Sequence, residues 1–295
     1  MMATLSVDHE HGRSSWRRSM RYIRSFDGLA KVAMVVLGLL FLLAGLAALT
    51  GLGGDPTAIV GPRLSPPAAG WPLGTDSLGR SLLPRLLEGI GTTLLLSTVA
   101  VVCTAIISTI FGIVAGYRGG RVAGTIMRVG DVLYAFPSII LAILIAAVIG
   151  PGQTAALASI VLVTVPLMTR MVSAASRAVT QRDFVDSAII SGVSTPRILT
   201  RHILTNVSGT IAVQGTYALS VGILVEGGLS FLGYGVQLPD SSLGLLIQEG
   251  TLYMVKAPWL LLAPGIVLVA AILSINILGD SLRDRFDPRK ARPLV

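Results

Sequence analysis

Six stretches of this chain stay apolar for longer than a soluble helix or strand requires, and no other feature limits its fold so tightly. A bilayer hydrocarbon core about 30 Å thick takes roughly 20 apolar residues to cross as helix. Within it, only helices and closed barrels leave no backbone group unpaired. The runs fall at 32–50, 92–116, 132–149, 154–169, 210–225 and 259–279. The fourth is short and carries Pro166, whose missing amide frees a carbonyl that neighbouring helices must cover. Charged residues make up only 13% of the chain, against about a quarter in soluble proteins. The expected fold is an all-α integral membrane protein of six transmembrane helices.

The formal charge of +8 could suggest nucleic acid as a partner. The basic residues are instead scattered among the loops without interleaved aromatics, which speaks against it, and crowding of Lys and Arg into cytoplasmic loops explains the charge. With the N-terminus inside, only Arg63, Arg80, Arg85 and Lys256 of the 23 basic residues fall in outside segments. The other nineteen lie inside, so both termini are expected in the cytoplasm. The first run has a basic leader of about 30 residues and a core of about 19. Both exceed a signal peptide, so it reads as a retained span anchored in membrane lipid. Cys103 is the single cysteine and sits in an apolar run, leaving no disulfide framework and no thiolate metal site.

The first outside segment, "GLGGDPTAIVGPRLSPPAAGWPLGTDSLGRSLLPRLLEG", begins as irregular loop. From Leu78 on, Leu82, Leu83, Leu86, Leu87 and Ile90 recur at helical spacing with Arg80, Arg85 and Glu88 on the other face, which predicts a short helix lying in the interface. The second, "SFLGYGVQLPDSSLGLLIQEGTLYMVKAP", is rich in turn formers and predicts a re-entrant or capping segment.

The chain carries no engine of its own. The phosphate-binding pattern G-x-x-x-x-G-K-[ST] is missing, and none of Lys31, Lys256 and Lys290 follows a glycine. His9, His11 and His202 lie in a tail and a loop, so no span holds a histidine. Asp131 and Asp280 fall at span ends. Glu226 alone sits deep, near the outer end of the fifth run. It reads either as a partner for a polar group in the bundle, or as the relay of a stand-alone proton-coupled carrier.

Between the fourth and fifth runs lies a polar insert, "DFVDSAIISGVSTPRILTRHILTN". A helix is predicted from about Thr180 to Ser191 with Gly192 as its C-cap, and a second helix capped by Thr195 with Pro196 at its first position. In the first, Phe184, Ala188 and Ser191 share one face and Val185, Ile189 and Gly192 the neighbouring one. Such a stripe suits either a groove on a soluble partner or the protein's own bundle.

Acid-x-Ala followed four residues on by Gly, here Asp186, Ser187, Ala188 and Gly192, resembles the "EAA" loop of binding-protein-dependent ABC importer permeases. "PLGTDSLGRSLLPRLLEG", "GYRGG", "MRVGDVLYAFPSIIL", "RHILTN", "EGGLSFLGYGVQLP" and "NILGDSLRDRFDP" resemble, in order, the C-type permease of dipeptide and oligopeptide importers. The chain departs from that family at Ser81 (Asp there), near Ala123 (an acid), at Thr205 (Pro) and at Asp186-Ser187 (Glu-Ala).

The resemblance implies a type I ABC importer permease fold: a cytoplasmic tail over 1–31, a first span over 32–50, an extracytoplasmic loop over 51–91, a MetI-like core over 92–280 with a coupling loop at 170–208, and a tail over 281–295. It further implies half of a peptide pathway in the bacterial plasma membrane. A homologous second permease, two cytoplasmic ABC ATPase subunits that hold the ATP and Mg, and an extracytoplasmic substrate-binding protein would complete it. This chain itself would be non-catalytic, with no cofactor. Asp183, Phe184, Asp186, Ser187, Ala188 and Gly192 would form the ATPase-coupling element, with the acids orienting it, Ala188 permitting close approach and Gly192 the turn. The same scaffold could instead import a nickel chelate, haem or another small solute.

Overall fold

The computed structural model describes residues 28–286; the two tails beyond them, with His9 and His11, lie outside the described residues. Five helices are long and apolar enough to cross a membrane: α1 (Gly28–Thr50), α2 (Leu82–Arg118), α5 (Gln153–Thr180), α7 (Thr195–Phe231) and α9 (Trp259–Phe286). Between α2 and α5 run α3 (Gly120–Tyr134) and α4 (Ser138–Ile149), bent 89° to one another and together equivalent to a sixth span. Two short helices complete the described residues, α6 (Asp183–Ile190) in the insert and α8 (Leu243–Leu252) before α9.

The helices outrun the apolar windows because hydropathy reports the hydrocarbon depth, whereas a helix continues as long as its backbone bonds do. The expected interfacial helix near residues 78–90 is therefore not separate: its leucines form the first turns of the 37-residue α2. Likewise the second insert helix runs on as the start of α7, with Ser194 rather than Thr195 at its N-cap. The first insert helix begins at Asp183, since 153–180 is one unbroken helix through Pro166.

The third expected span needs the opposite correction. Its window of 132–149 is cut at Ala135–Pro137, because proline lacks an amide donor and keeps the preceding residue out of helical geometry. The bend is held to α5 by an ion pair between Asp131 and Arg170, whose guanidinium also lies 5.8 Å from the centre of the Tyr134 ring.

Packing between the long helices relies on small residues, which let backbones approach where lipid gives no hydrophobic drive. A Cβ on Gly112 would meet Val172 of α5 at 2.8 Å, and one on Gly116 would meet Ser176 at 2.5 Å. Thr104 and Thr164 join α2 to α5 through their hydroxyls at 2.8 Å. Ser108 donates to the Val165 carbonyl at 3.2 Å, beside the Pro166 break. At the far end of α9, Gly279 abuts Thr216 and Tyr217 donates to Asp280 at 2.6 Å.

Candidate functional site

The insert helix α6 is two turns long, and its sequence supplies both of its ends. Asp183 and Asp186 stand in the first turn, where carboxylates are favoured by the helix dipole. At the other end Gly192 takes φ +74°, the left-handed geometry that side chains resist. The Gly192 amide donates to the Ile189 carbonyl and the Val193 amide to that of Ala188, both at 3.0 Å, which makes a full Schellman turn. Ser187 donates its hydroxyl to the Asp183 carbonyl at 2.8 Å, within the helix.

The two faces of α6 part differently from the expected stripes. Val185 and Ala188, three residues apart, turn inward and are buried. Val185 joins a cluster with Ile113 of α2, Met168 and Val172 of α5, and Ile198, Ile203 and Val207 of α7. Phe184, Ile189 and Ile190 face out, Ile190 with 86% of its surface exposed. Phe184 and Ala188, on one side of the helix by spacing, thus differ in burial.

A wider turn follows α6. Residues Ile198–Ile203 form a π-helical stretch, closed by the Leu204 amide on the Leu199 carbonyl. Such turns inside a helix recur at functional sites. His202 within it lies 6.3 Å, centre to centre, from the Phe184 ring, which ties α6 to the root of α7.

At the opposite end of the bundle, two polar clusters hold α8 against α2. Glu226 is fully buried and accepts hydrogen bonds from Thr93 of α2 at 2.8 Å and from Ser230 one turn on at 2.7 Å. Thr93 in turn accepts from the Leu243 amide at 3.1 Å, and Ser230 from the Val236 amide at 3.0 Å. Ser242 caps α8 by accepting from the Leu245 amide. The start of α8 packs so closely on α7 that a Cβ on Gly244 would lie 2.3 Å from the Gly227 carbonyl oxygen. The segment after α7 therefore turns back into the bundle, as the turn formers suggested. The partners of Glu226 in this network are hydroxyls, which suits a tie between α2, α7 and α8.

The second cluster was not legible as a site. Arg85, expected on a solvent face of an interfacial helix, is 1% exposed and forms a two-pronged pair with Glu249 of α8 at 2.6 and 3.0 Å. Asp76 bridges Arg85 at 2.8 Å and Arg80 at 2.7 Å, and also accepts the Leu78 and Arg80 amides. Arg80 is buried too. The wider loop is held by Thr75, which donates to the Pro62 carbonyl at 2.6 Å, and by Trp71 lying over Gly61. At the loop's edge the Thr57 hydroxyl and amide hold the exposed Asp55 carboxyl below its ordinary range. The only signal for this cluster was that two arginines and one acid flanked a helix start. Their partner Glu249 lies 164 residues away.

Among the described residues, no group of three or more His, Cys, Asp or Glu side chains is arranged to hold a metal ion.

Residues 108–292 match the family model described as "Binding-protein-dependent transport system inner membrane component". The chain is 39% identical over 274 residues to a putative peptide transport system permease protein of Brucella abortus, covering 92% of this chain and 90% of that one. It is 33% identical over 276 residues to a dipeptide transport system permease protein of Alkalihalophilus pseudofirmus, covering 94% and 90%. An inward-facing MetNI methionine ABC transporter chain superposes with a TM-score of 0.56 at 18% identity, covering 69% of this chain and 96% of that one, which is a likeness of fold. The likeness is to the fold of a MetI-type permease. With matches of this length, the chain belongs to the binding-protein-dependent transport system inner membrane components: it is a permease subunit of an ABC importer.

Proposed function

We propose that this permease forms half of a pathway for di- and oligopeptides across a bacterial plasma membrane, with both termini cytoplasmic and the 51–81 loop facing out. A homologous second permease supplies the other half, and two cytoplasmic ABC ATPase subunits bind ATP and Mg and hydrolyse the nucleotide. An extracytoplasmic protein delivers the substrate. The names of the relatives at 33–39% identity support the peptide class, and the distribution of Lys and Arg supports the orientation.

The observation that carries the mechanism is the division of α6. On one face Val185 and Ala188 are buried, Val185 in a cluster shared with α2, α5 and α7, while Phe184, Ile189 and Ile190 stand in the open. A small helix rooted in three spans and apolar on its free side is a lever. An ATPase that grips the free side differently in its two nucleotide states will shift the spans between two arrangements, because a driver acts only through differential contacts. Asp183 and Asp186 flank the gripping face, and Gly192 sets the angle at which the lever leaves the bundle.

Gly192→Pro is the test. Proline fixes φ near −65° where the turn uses +74°. The assembled transporter carrying it should lose nearly all ATP-driven peptide uptake, with assembly followed separately by gel filtration. Uptake at the unmodified rate would remove α6 from the mechanism.

A further inference from the structure

Between α1 and the first half of α2 lies a crevice of some 650 Å³, lined by Phe41, Ala44 and Ala48 on one side and Leu87 and Leu95 on the other. That volume lies within the roughly 300–1,000 Å³ of a small-molecule pocket, so its length and its lining, rather than its size, point to the occupant. Glu88 and Thr98 also line it. They are ten residues apart on one helix, so the crevice runs for about 15 Å along the helix axis. That is the depth of one leaflet, half of a hydrocarbon core about 30 Å thick.

Glu88 stands at its loop end, one turn below the Arg85 cluster, yet it has no part in that cluster. Its Oε2 is buried without a hydrogen-bond partner. A desolvated carboxylate oxygen left so is costly unless a donor or a cation reaches it. An apolar gap between two spans, one leaflet deep and ending in an unpaired carboxylate, has the complement of a phospholipid: acyl chain along the gap, headgroup at the acid. The charge selects the headgroup. An anionic glycerol headgroup is repelled, and a choline carries its charge on methyl groups with no N–H. An ethanolamine offers an ammonium with three donors.

We infer that the crevice between α1 and α2 is a binding site for phosphatidylethanolamine of the loop-side leaflet, its ammonium held by Glu88 and its acyl chain lying between the two spans. The site would tether α1 to the core through lipid.

The test offers phosphatidylethanolamine, phosphatidylglycerol and phosphatidylcholine at equal concentration to the delipidated full transporter and reads retained lipid by native mass spectrometry. Phosphatidylethanolamine should be retained about tenfold over the other two, the worth of one charge-assisted hydrogen bond. Glu88→Gln should erase the preference. Ala48→Phe, which fills the gap and leaves the acid, should lower retention of all three lipids. Equal retention of the three lipids by the unmodified protein, or an unchanged preference in Glu88→Gln, overturns the proposal. So does efficient disulfide trapping of Ala48→Cys to the companion permease, which would put protein in the crevice.

Discussion

The two ends of this bundle are held by opposite kinds of force. At the loop end, α8 is fixed by directed bonds: Arg85 to Glu249 and Asp76 near its finish, Thr93 to Glu226 and the Leu243 amide at its start. At the insert end, the buried residues of α6 are Val185 and Ala188, neither of them polar, and Val185 sits in an apolar cluster. Directed bonds specify one register and tolerate little displacement, because a broken one strands a buried charge. Apolar contact is non-directional and survives small shifts. The loop end is built to stay in one arrangement and α6 tolerates displacement, which is what the proposed drive from the insert side would require.

If that contrast is real, the largest effect of a single substitution lies at the loop end. Arg85→Met leaves Asp76 and Glu249 without their shared cation and should destabilise the folded protein by about 3–5 kcal/mol, read as a collapse in monodisperse yield and a lowered Tm in detergent. Adding Glu249→Leu should recover part of it, since Asp76 retains Arg80. A protein indifferent to Arg85→Met would mean the cluster is not a lock.

Glu226 sharpens the same point with a smaller effect. Glu226→Leu leaves the Thr93 and Ser230 hydroxyls without their acceptor, at about 1–3 kcal/mol. Glu226→Gln keeps an acceptor in place and should cost less while leaving ATP-driven uptake intact. A carrier that used Glu226 to move protons would lose uptake in both variants alike, and that result would revive the proton-relay reading.

How much of this was legible in the sequence differs between the same two regions. The six apolar runs, the turn at Gly192 and the acids of α6 could be read because each rests on local chemistry: hydropathy, a left-handed cap, a helix dipole. Pro137 also stood in view, and the break it makes in the third span was missed by weighing apolar length above the missing amide. The Arg85–Glu249 pair could not be read at all. Its partners lie 164 residues apart, and an arginine destined for burial carries the same local pattern as one facing water. The inward face of α6 fell between these cases. Helical spacing narrowed it to two stripes, and tertiary packing chose the Val185–Ala188 pair, which neither stripe contained.

The smallest expected effects separate holding from gripping within α6 itself. Val185→Ala removes buried methyl groups and should lower stability by about 1–3 kcal/mol. Ile190→Ala, at a residue 86% exposed, should leave stability within about 0.5 kcal/mol of unchanged while lowering the peptide imported per ATP hydrolysed by the assembled transporter. Equal loss of stability in both would mean that α6 has no free face.

The most direct measurement is uptake of labelled dipeptide into sealed proteoliposomes, with the binding protein present. Accumulation is expected when both permeases, the ATPase subunits and ATP are included, and none when this chain is reconstituted by itself under an imposed pH gradient. Accumulation against a concentration gradient by this chain alone would contradict the view that α6 is moved from outside the chain.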